Sequence, residues 1–465
     1  MARLHEKIGY GFGDMSSSMF WKVFSYYLPF FYSNVFGLSL VDAGVLVLVT
    51  RVWDAVSDPM MGIIADRTHT RWGKYRPYLL WVAPFFSIAG ILLFTTPDWE
   101  YGAKLVWAYV TYILMMTVYT GINVPYGAML GVMTDDSREK TVFSSFRMFF
   151  AYGGSFIALA AWEPIVSLFK EAGQSSTAAW QHSMMVVASC CFVLFLLCFS
   201  LTRERLKTVS TVSVGGDFKA LLSNRPWWLM IGAAICFNLF CTVRGATVAY
   251  YFADIIGFDA VLRLKSWSIL FYAGLFLSIG EVSNMVGVAL TVTLAKHFGK
   301  KSTFIGVNVG LAILSVLFFF IPVSPTGFWL MLIFQVLISM LTGVMSPLIW
   351  SMYADVSDYA ELKYKTASTG LIFSSSSMAQ KFGGAIGGAA VLWLLSACGY
   401  TPRNDEQMAA QMLVAQPEMA LQCLRYLMSF IPAAVAVLAV VVCHFYPLTT
   451  GCMEEINEKL KIQRA

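Results

Sequence analysis

The sequence is poor in the residues that build metal centres and disulfide frameworks. Its nine cysteines are scattered, with only Cys190 and Cys191 adjacent, and its five histidines lack the spacing of metal ligands. We therefore predict neither a disulfide framework nor a metal site, other than a site for Na⁺. Metalloprotease and nucleotide-cradling motifs are also absent from the polar segments, so we expect no enzyme and no organic cofactor. We expect no cleavable signal peptide, because the polar start lacks a small-residue cleavage site.

Charged residues are scarce as well. Only 13% of the 465 residues are charged, 58% are hydrophobic and the mean hydropathy is +0.67, which is outside the range of soluble domains. An apolar run of about 20 residues is long enough to cross roughly 30 Å of hydrocarbon. The sequence therefore predicts an all-α, polytopic membrane protein with twelve spans, near residues 15–36, 41–63, 78–96, 105–133, 143–169, 181–201, 227–253, 267–294, 303–322, 327–353, 367–397 and 426–446.

The distribution of Lys and Arg predicts the orientation. Most of the 32 basic residues fall in loops on the side that would hold both termini. Because retained cytoplasmic loops carry the positive excess, we predict that both termini are cytoplasmic, in the inner membrane of a bacterium. The net charge of +5 then reflects topology, and we expect membrane lipid rather than nucleic acid as a partner.

The two halves of the chain repeat each other. The basic turn at Gly73-Lys74 recurs at Gly299-Lys300, and the acidic pair at Asp135-Asp136 corresponds to Asp355 in the second half. Six spans duplicated into twelve are typical of transporters. We predict a six-helix bundle at 1–202, a cytoplasmic linker at 203–225, a second bundle at 226–450 and a cytoplasmic tail at 451–465.

Charged side chains lie within the predicted spans. Arg51, Asp54 and Asp58 share one helix face, and a lipid-exposed charge near mid-bilayer costs roughly 2.5–3.5 kcal/mol. This face is therefore expected to line a cavity or to pair with other charges. Buried ion pairs that only hold helices together are the alternative. The other interior charges are Lys22, Arg147, Glu163, Arg244, Glu281 and Lys381.

Two polar stripes indicate a solute pathway. Asp14, Ser18 and Lys22 are spaced four residues apart, although Lys22 could instead extend to the membrane interface. Tyr119 and Asn123 share a face of the fourth span, where amides and rings suit a sugar. Ordinary packing between polar helices is the alternative for this second stripe.

Six motifs, in order along the chain, give the sequence a strong resemblance to the glycoside-pentoside-hexuronide:cation symporter family. This family includes the melibiose and glucuronide permeases and has the fold of the major facilitator superfamily. The motifs are YGFGD at 10–14, RVWDAVSDPMMG at 51–62, TRWGKYRPY at 70–78, NVPYG at 123–127, ADVSDYAE at 354–361 and QKFGGAIGG at 380–388.

The resemblance implies a coupling-cation site at Asp54 and Asp58, with Ser57 and Thr120 as further oxygen donors. It also implies sugar contacts from Ser18, Tyr119, Asn123, Arg147, Ser377 and Lys381. Melibiose-type members carry acids at the positions of Ser18 and Asn123, so galactoside specificity is not implied. We add two interior bases, Lys22 and Arg244, to the candidate substrate-binding residues, and we expect Lys22 to favour an acidic sugar unless it pairs permanently with Asp14, Glu163 or Glu281.

The expected function is Na⁺- or H⁺-coupled symport of a glycoside, pentoside or hexuronide by a monomer. A facilitator or lipid and drug transporter of the same fold, and a membrane-embedded transferase, are the alternatives. We also expect a cytoplasmic gate in which basic turns form ion pairs with acids and favour closure of that side. The gate residues are Asp66, Arg71, Lys74, Arg76, Asp135, Lys300 and Asp355.

Overall fold

The structure, a computed structural model, describes residues 4–134, 137–205, 222–257, 260–264, 267–364, 369–403, 407 and 414–464. Nearly all of these residues are helical, which confirms the predicted all-α class. A two-stranded antiparallel hairpin, β1 (Ala260–Leu264) and β2 (Trp267–Phe271), is a local departure from it. The predicted eighth span, 267–294, therefore begins too early, since its first five residues form β2.

The structure describes seven helices in the first half of the chain. They are α1 (Leu4–Asn34), α2 (Leu40–Arg67), α3 (Arg76–Trp81), α4 (Ala83–Leu93), α5 (Tyr101–Met133), α6 (Ser137–Glu171) and α7 (Ser176–Leu201). The short helices α3 and α4 follow each other directly and together occupy the place of the predicted third span.

The second half follows a similar order. Its helices are α8 (Arg225–Tyr251), which continues into a π-helical turn (Phe252–Ile256), α9 (Ala273–Phe298), α10 (Lys300–Phe318), α11 (Pro325–Tyr364), α12 (Thr369–Ala397), α13 (Glu418–Met428), α14 (Phe430–His444) and α15 (Thr450–Arg464). Helices α13 and α14 together occupy the place of the predicted last span.

Nine helical segments in the described ranges are long and apolar enough to cross a membrane. Helices α1 and α2 have 31 and 28 residues but carry interior charges such as Asp14, Lys22 and Asp58. The protein is thus a multi-pass membrane protein, while the count of twelve spans and the four domain boundaries remain predictions.

Local sequence explains where several helices begin. The side chains of Ser39, Ser175 and Asn224 each accept a hydrogen bond from a backbone N–H in the first turn of the following helix. Such N-caps satisfy donors that have no partner within the helix. Pro226 lies two residues after Asn224, in the first turn of the helix, where its missing N–H costs no helical hydrogen bond.

Close helix contacts in the interior depend on small residues. A Cβ atom on Gly287 of α9 would lie 2.0 Å from the carbonyl oxygen of Met340 in α11. A Cβ atom on Gly274 would lie 2.1 Å from the carbonyl oxygen of Leu159, which belongs to α6 in the other half. Glycine therefore lets α9 pack tightly on both its own half and the opposite one.

Candidate transport site between the two halves

A cavity of about 510 Å³ lies between the two halves of the chain, and we call it cavity 1. Helices α1, α2, α5 and α6 contribute its wall from the first half, and α8 and α12 contribute from the second. Polar side chains from both halves converge on it. This is the position at which transporters built from repeats bind their solutes.

Asp58 forms the strongest polar contacts on the wall of cavity 1. Its carboxylate accepts hydrogen bonds from Lys381 Nζ at 2.5 Å and from Thr120 Oγ1 at 2.7 Å. Because Lys381 belongs to α12, the ion pair joins the two halves. Two of the residues predicted for the cation site, Asp58 and Thr120, are thus brought together with a predicted sugar ligand.

Asp54 lies one helical turn away from Asp58 and has a different partner. Its carboxylate forms an ion pair with Arg51 at 3.1 Å, and Ser57 donates to the backbone oxygen of Asp54. Neither Asp54 nor Ser57 lines cavity 1. Asp54 nevertheless lies close enough to Asp58 and Lys381 to interact with them electrostatically.

Three of the predicted sugar ligands of the first half, Tyr119, Asn123 and Arg147, lie on the same wall. Arg147 forms an ion pair with Asp14 at 2.9 Å, and both residues line cavity 1. Asn123 accepts a hydrogen bond from Ser17 at 2.8 Å. Tyr119 packs against Trp21, with ring centroids 5.0 Å apart. The wall thus offers an amide, a guanidinium and an aromatic surface, which together suit a polyol ring.

The predicted stripe on α1 does not form a single wall. Asp14 lines cavity 1, Lys22 lines a second cavity, and Ser18 lines neither. A step of four residues rotates a helix by about 40° beyond a full turn, so Asp14 and Lys22 diverge by about 80°. Lys22 pairs with Glu281 at 2.6 Å, which is the permanent partner considered as the alternative to a ligand.

Arg244 is separated from cavity 1 in a similar way. It lines the second cavity and donates to the backbone oxygen of Met428 at 2.7 Å and to Gln335 at 3.1 Å. Ser377, in contrast, lies on the wall of cavity 1 with Lys381, as predicted from the resemblance.

The contacts that the described part of the chain shows for Arg71, Arg76 and Lys300 each stay within one half. Lys300 pairs with Asp355 at 2.7 Å, but both belong to the second half. The guanidinium carbon of Arg71 lies 4.7 Å from the centroid of the Trp72 ring, and Lys74 is buried. Arg76 donates to the backbone oxygen of Phe199. Asp135 and the side chain of Asp66 lie outside the described residues, and the predicted latch across the halves remains a prediction.

Several wall and loop residues were not singled out from the sequence. Asn238 and Thr242 line cavity 1 one turn apart on α8, and Gln380 lines it next to Lys381. Glu204 accepts hydrogen bonds from three consecutive backbone N–H groups, those of residues 74–76, at 2.6–2.7 Å. The four-residue spacing of Asn238 and Thr242 was a usable signal, whereas no pattern indicated the partner of the basic turn.

The family described as "MFS/sugar transport protein" matches residues 9–450 of this chain. The chain belongs to this family of transporters, and it is not an enzyme. The resemblance stated from the six motifs is thereby confirmed.

Relatives and solved structures agree with this assignment. The inner membrane symporter YicJ of Escherichia coli (strain K12) is 32% identical, over 98% of this chain and 94% of its own length. An isoprimeverose transporter of Lactiplantibacillus pentosus is 33% identical, over 87% of this chain and 82% of its own. The crystal structure of the nucleoside transporter NupG superposes with a TM-score of 0.66 at 13% identity, covering 95% and 100% of the two chains. The last comparison shows the fold alone.

Proposed function

We propose that this transporter couples the entry of Na⁺ or H⁺ to the uptake of a sugar or glycoside across the bacterial inner membrane. The observation that carries the proposal is the shared position of Asp58, Thr120 and Lys381 on the cavity wall that also holds Arg147, Asn123 and Tyr119. Carboxylate and hydroxyl oxygens suit a hard cation, and the nearby amide and rings suit a sugar. Cation and sugar would thus bind within one cavity.

The ion pair between Asp58 and Lys381 supports a coupling step. A cation that binds to Asp58 competes with the ammonium group of Lys381, which is then free to donate hydrogen bonds to a sugar hydroxyl. Each ligand would therefore raise the affinity for the other, and such coupling is reciprocal. The membrane potential drives the cation inward by about 2.3 kcal/mol per 100 mV.

Uptake into proteoliposomes with imposed Na⁺ or H⁺ gradients tests the proposal. We expect a glycoside, pentoside or hexuronide to accumulate against its gradient in the unsubstituted protein. Asp58→Asn and Asp54→Asn each remove a charge at nearly constant volume, so we expect uphill accumulation to fall at least about tenfold while downhill exchange persists.

Asp42→Asn is a matched control, because Asp42 lies on the same helix and instead bonds Ser39 and Tyr101 near the start of α2. It should leave accumulation unchanged. Undiminished uphill uptake in both Asp58→Asn and Asp54→Asn would contradict the proposed coupling.

A further inference from the structure

A second cavity of about 230 Å³ lies beside cavity 1, and we call it cavity 2. Lys22 and Tyr26 of α1 and Tyr152 of α6 form its wall from the first half. From the second half, α8, α9 and α11 contribute. Asn238 lines both cavities and therefore lies at their shared boundary.

Glu281 has one carboxylate oxygen with no partner. The residue is 2% exposed, and its Oε1 accepts a hydrogen bond from Lys22 at 2.6 Å. Its Oε2 is buried and receives no hydrogen bond from any residue that the structure describes. A buried acceptor without a donor costs free energy. A ligand hydroxyl group that donates a hydrogen bond to Oε2 would remove this cost and so favour binding of the ligand.

Amides on the same wall have spare hydrogen-bonding capacity. Asn284 Oδ1 accepts from Thr342 at 2.9 Å, while no hydrogen bond in the described part of the chain uses its amide N–H groups. Asn238 donates to the backbone oxygen of Ala234, which leaves its own side-chain oxygen as an acceptor. The rings of Tyr26 and Tyr152 add apolar surface. This combination of donors, acceptors and rings is what a sugar ring requires.

We propose that cavity 2 is a subsite for the second ring of a disaccharide whose first ring occupies cavity 1. A hydroxyl of the second ring donates to Glu281 Oε2, and Asn284 donates to a ring oxygen. A neutral ring fits this site, because the charge of Lys22 is already matched by Glu281. The inference rests on the proposed function, since it extends the sugar site in cavity 1.

The test compares single-ring and two-ring sugars in proteoliposomes of the full-length protein. The single-ring probes are methyl xyloside, methyl glucoside and methyl galactoside. The two-ring probes are xylobiose, cellobiose and lactose, whose non-reducing rings are xylose, glucose and galactose, respectively. We expect Glu281→Gln and Asn284→Ala to lower the ratio of disaccharide to methyl glycoside kcat/KM by about tenfold. Asn284→Ala leaves the Lys22–Glu281 pair in place, so it keeps the test valid if Glu281→Gln fails to fold.

Asn308→Ala is the matched control, because Asn308 is a buried asparagine of the same half that lines neither cavity. Its ratio should equal that of the unsubstituted protein. Unchanged ratios in both cavity 2 variants, or uptake of methyl glycosides without any disaccharide, would overturn the subsite and leave the proposed function intact. Failure of all six probes and of hexuronides to accumulate under either gradient would instead overturn the proposed function and, with it, the subsite.

Discussion

The two faces of the interface between the halves are held very differently. At the face where α1 ends, Ser33 bonds Tyr250 at 2.7 Å, and Asn34 accepts from the backbone N–H of Arg403 at 2.9 Å. Arg403 also forms a fully buried ion pair with Asp254 of its own half at 2.7 Å, which holds Arg403 beside Asn34. At the face where α1 begins, the pairs Glu6–Arg205 and Lys300–Asp355 each stay within one half.

From this difference we predict that contacts at the face where α1 ends oppose outward opening. Four hydrogen bonds between side chains of the two halves, Lys22–Glu281, Ser33–Tyr250, Asp58–Lys381 and Asn34–Tyr400, lie in the membrane interior or at the face where α1 ends. Loss of one partner from a buried ion pair costs about 3–5 kcal/mol, whereas an exposed pair contributes about 0–1 kcal/mol. In the predicted topology, the face where α1 ends is the outer face, so the structure is closed to the outside. The contacts between the halves that must break for outward opening lie at that face.

The largest effect is expected from Arg403→Gln, which leaves Asp254 buried without its cation. The pair lies within the second half, but opening of this face would expose the unpaired Asp254 to water, so we expect the variant to disfavour the closed state by up to about 3–5 kcal/mol and to populate an outward-open state. Distances between spin labels at Val41 and Met419, two exposed positions of opposite halves at that face, should lengthen. Arg205→Gln breaks a pair within the first half at the opposite face, so it should leave the Val41–Met419 distance unchanged. Equal distances in Arg403→Gln and Arg205→Gln would contradict the proposed difference between the two faces.

A smaller effect is expected from Lys22→Gln, which breaks the pair across the halves in the membrane interior. Lys22 is about one-quarter exposed, with a side-chain exposure of 23%, so we expect a stability loss of about 2–3 kcal/mol and a lower Tm. Uptake of acidic and neutral sugars should fall equally, and the double variant Lys22→Gln/Glu281→Gln should recover part of the Tm. Selective loss of acidic sugars would show instead that Lys22 contacts the ligand.

Glu204→Gln tests the face where α1 begins. The carboxylate of Glu204 accepts hydrogen bonds from three backbone N–H groups in the basic turn of its own half. We expect a stability loss of about 1–3 kcal/mol in thermal unfolding, because charge-assisted hydrogen bonds are lost. The Val41–Met419 distance should remain that of the unsubstituted protein, and a longer distance would mean that the turn also controls the opposite face.

The smallest effect is expected from Arg71→Gln. Arg71 is exposed and stacks on Trp72, so its removal should shift the resting population toward the inward-open state by less than about 1 kcal/mol. Labels on both halves at the face where α1 begins would report this shift. A change as large as that of Arg403→Gln would show that the predicted latch forms in another state and dominates it.

The sequence predicts the helices and the interior charges better than it predicts their pairing. Apolar runs and family motifs were sufficient to place Asp58, Asn123 and Lys381 near one solute pathway. They could not show that Lys22 pairs with Glu281, because these residues are 259 positions apart and their meeting depends on how two bundles pack. They also missed β2, since a short apolar run such as residues 267–271 is equally compatible with a buried helix.

The length of helix α11 has a consequence for how movements can be measured. Its 40 residues extend about 60 Å, roughly twice the thickness of the hydrocarbon layer. About 30 Å of helix therefore exceeds the thickness of the lipid, and a tilt of about 10° at the membrane displaces its tip by about 5 Å. Pro347 lies inside this helix at a position where it can bend, so a rearrangement of about 1 Å beside the cavities is expected to move the far end by about 2 Å.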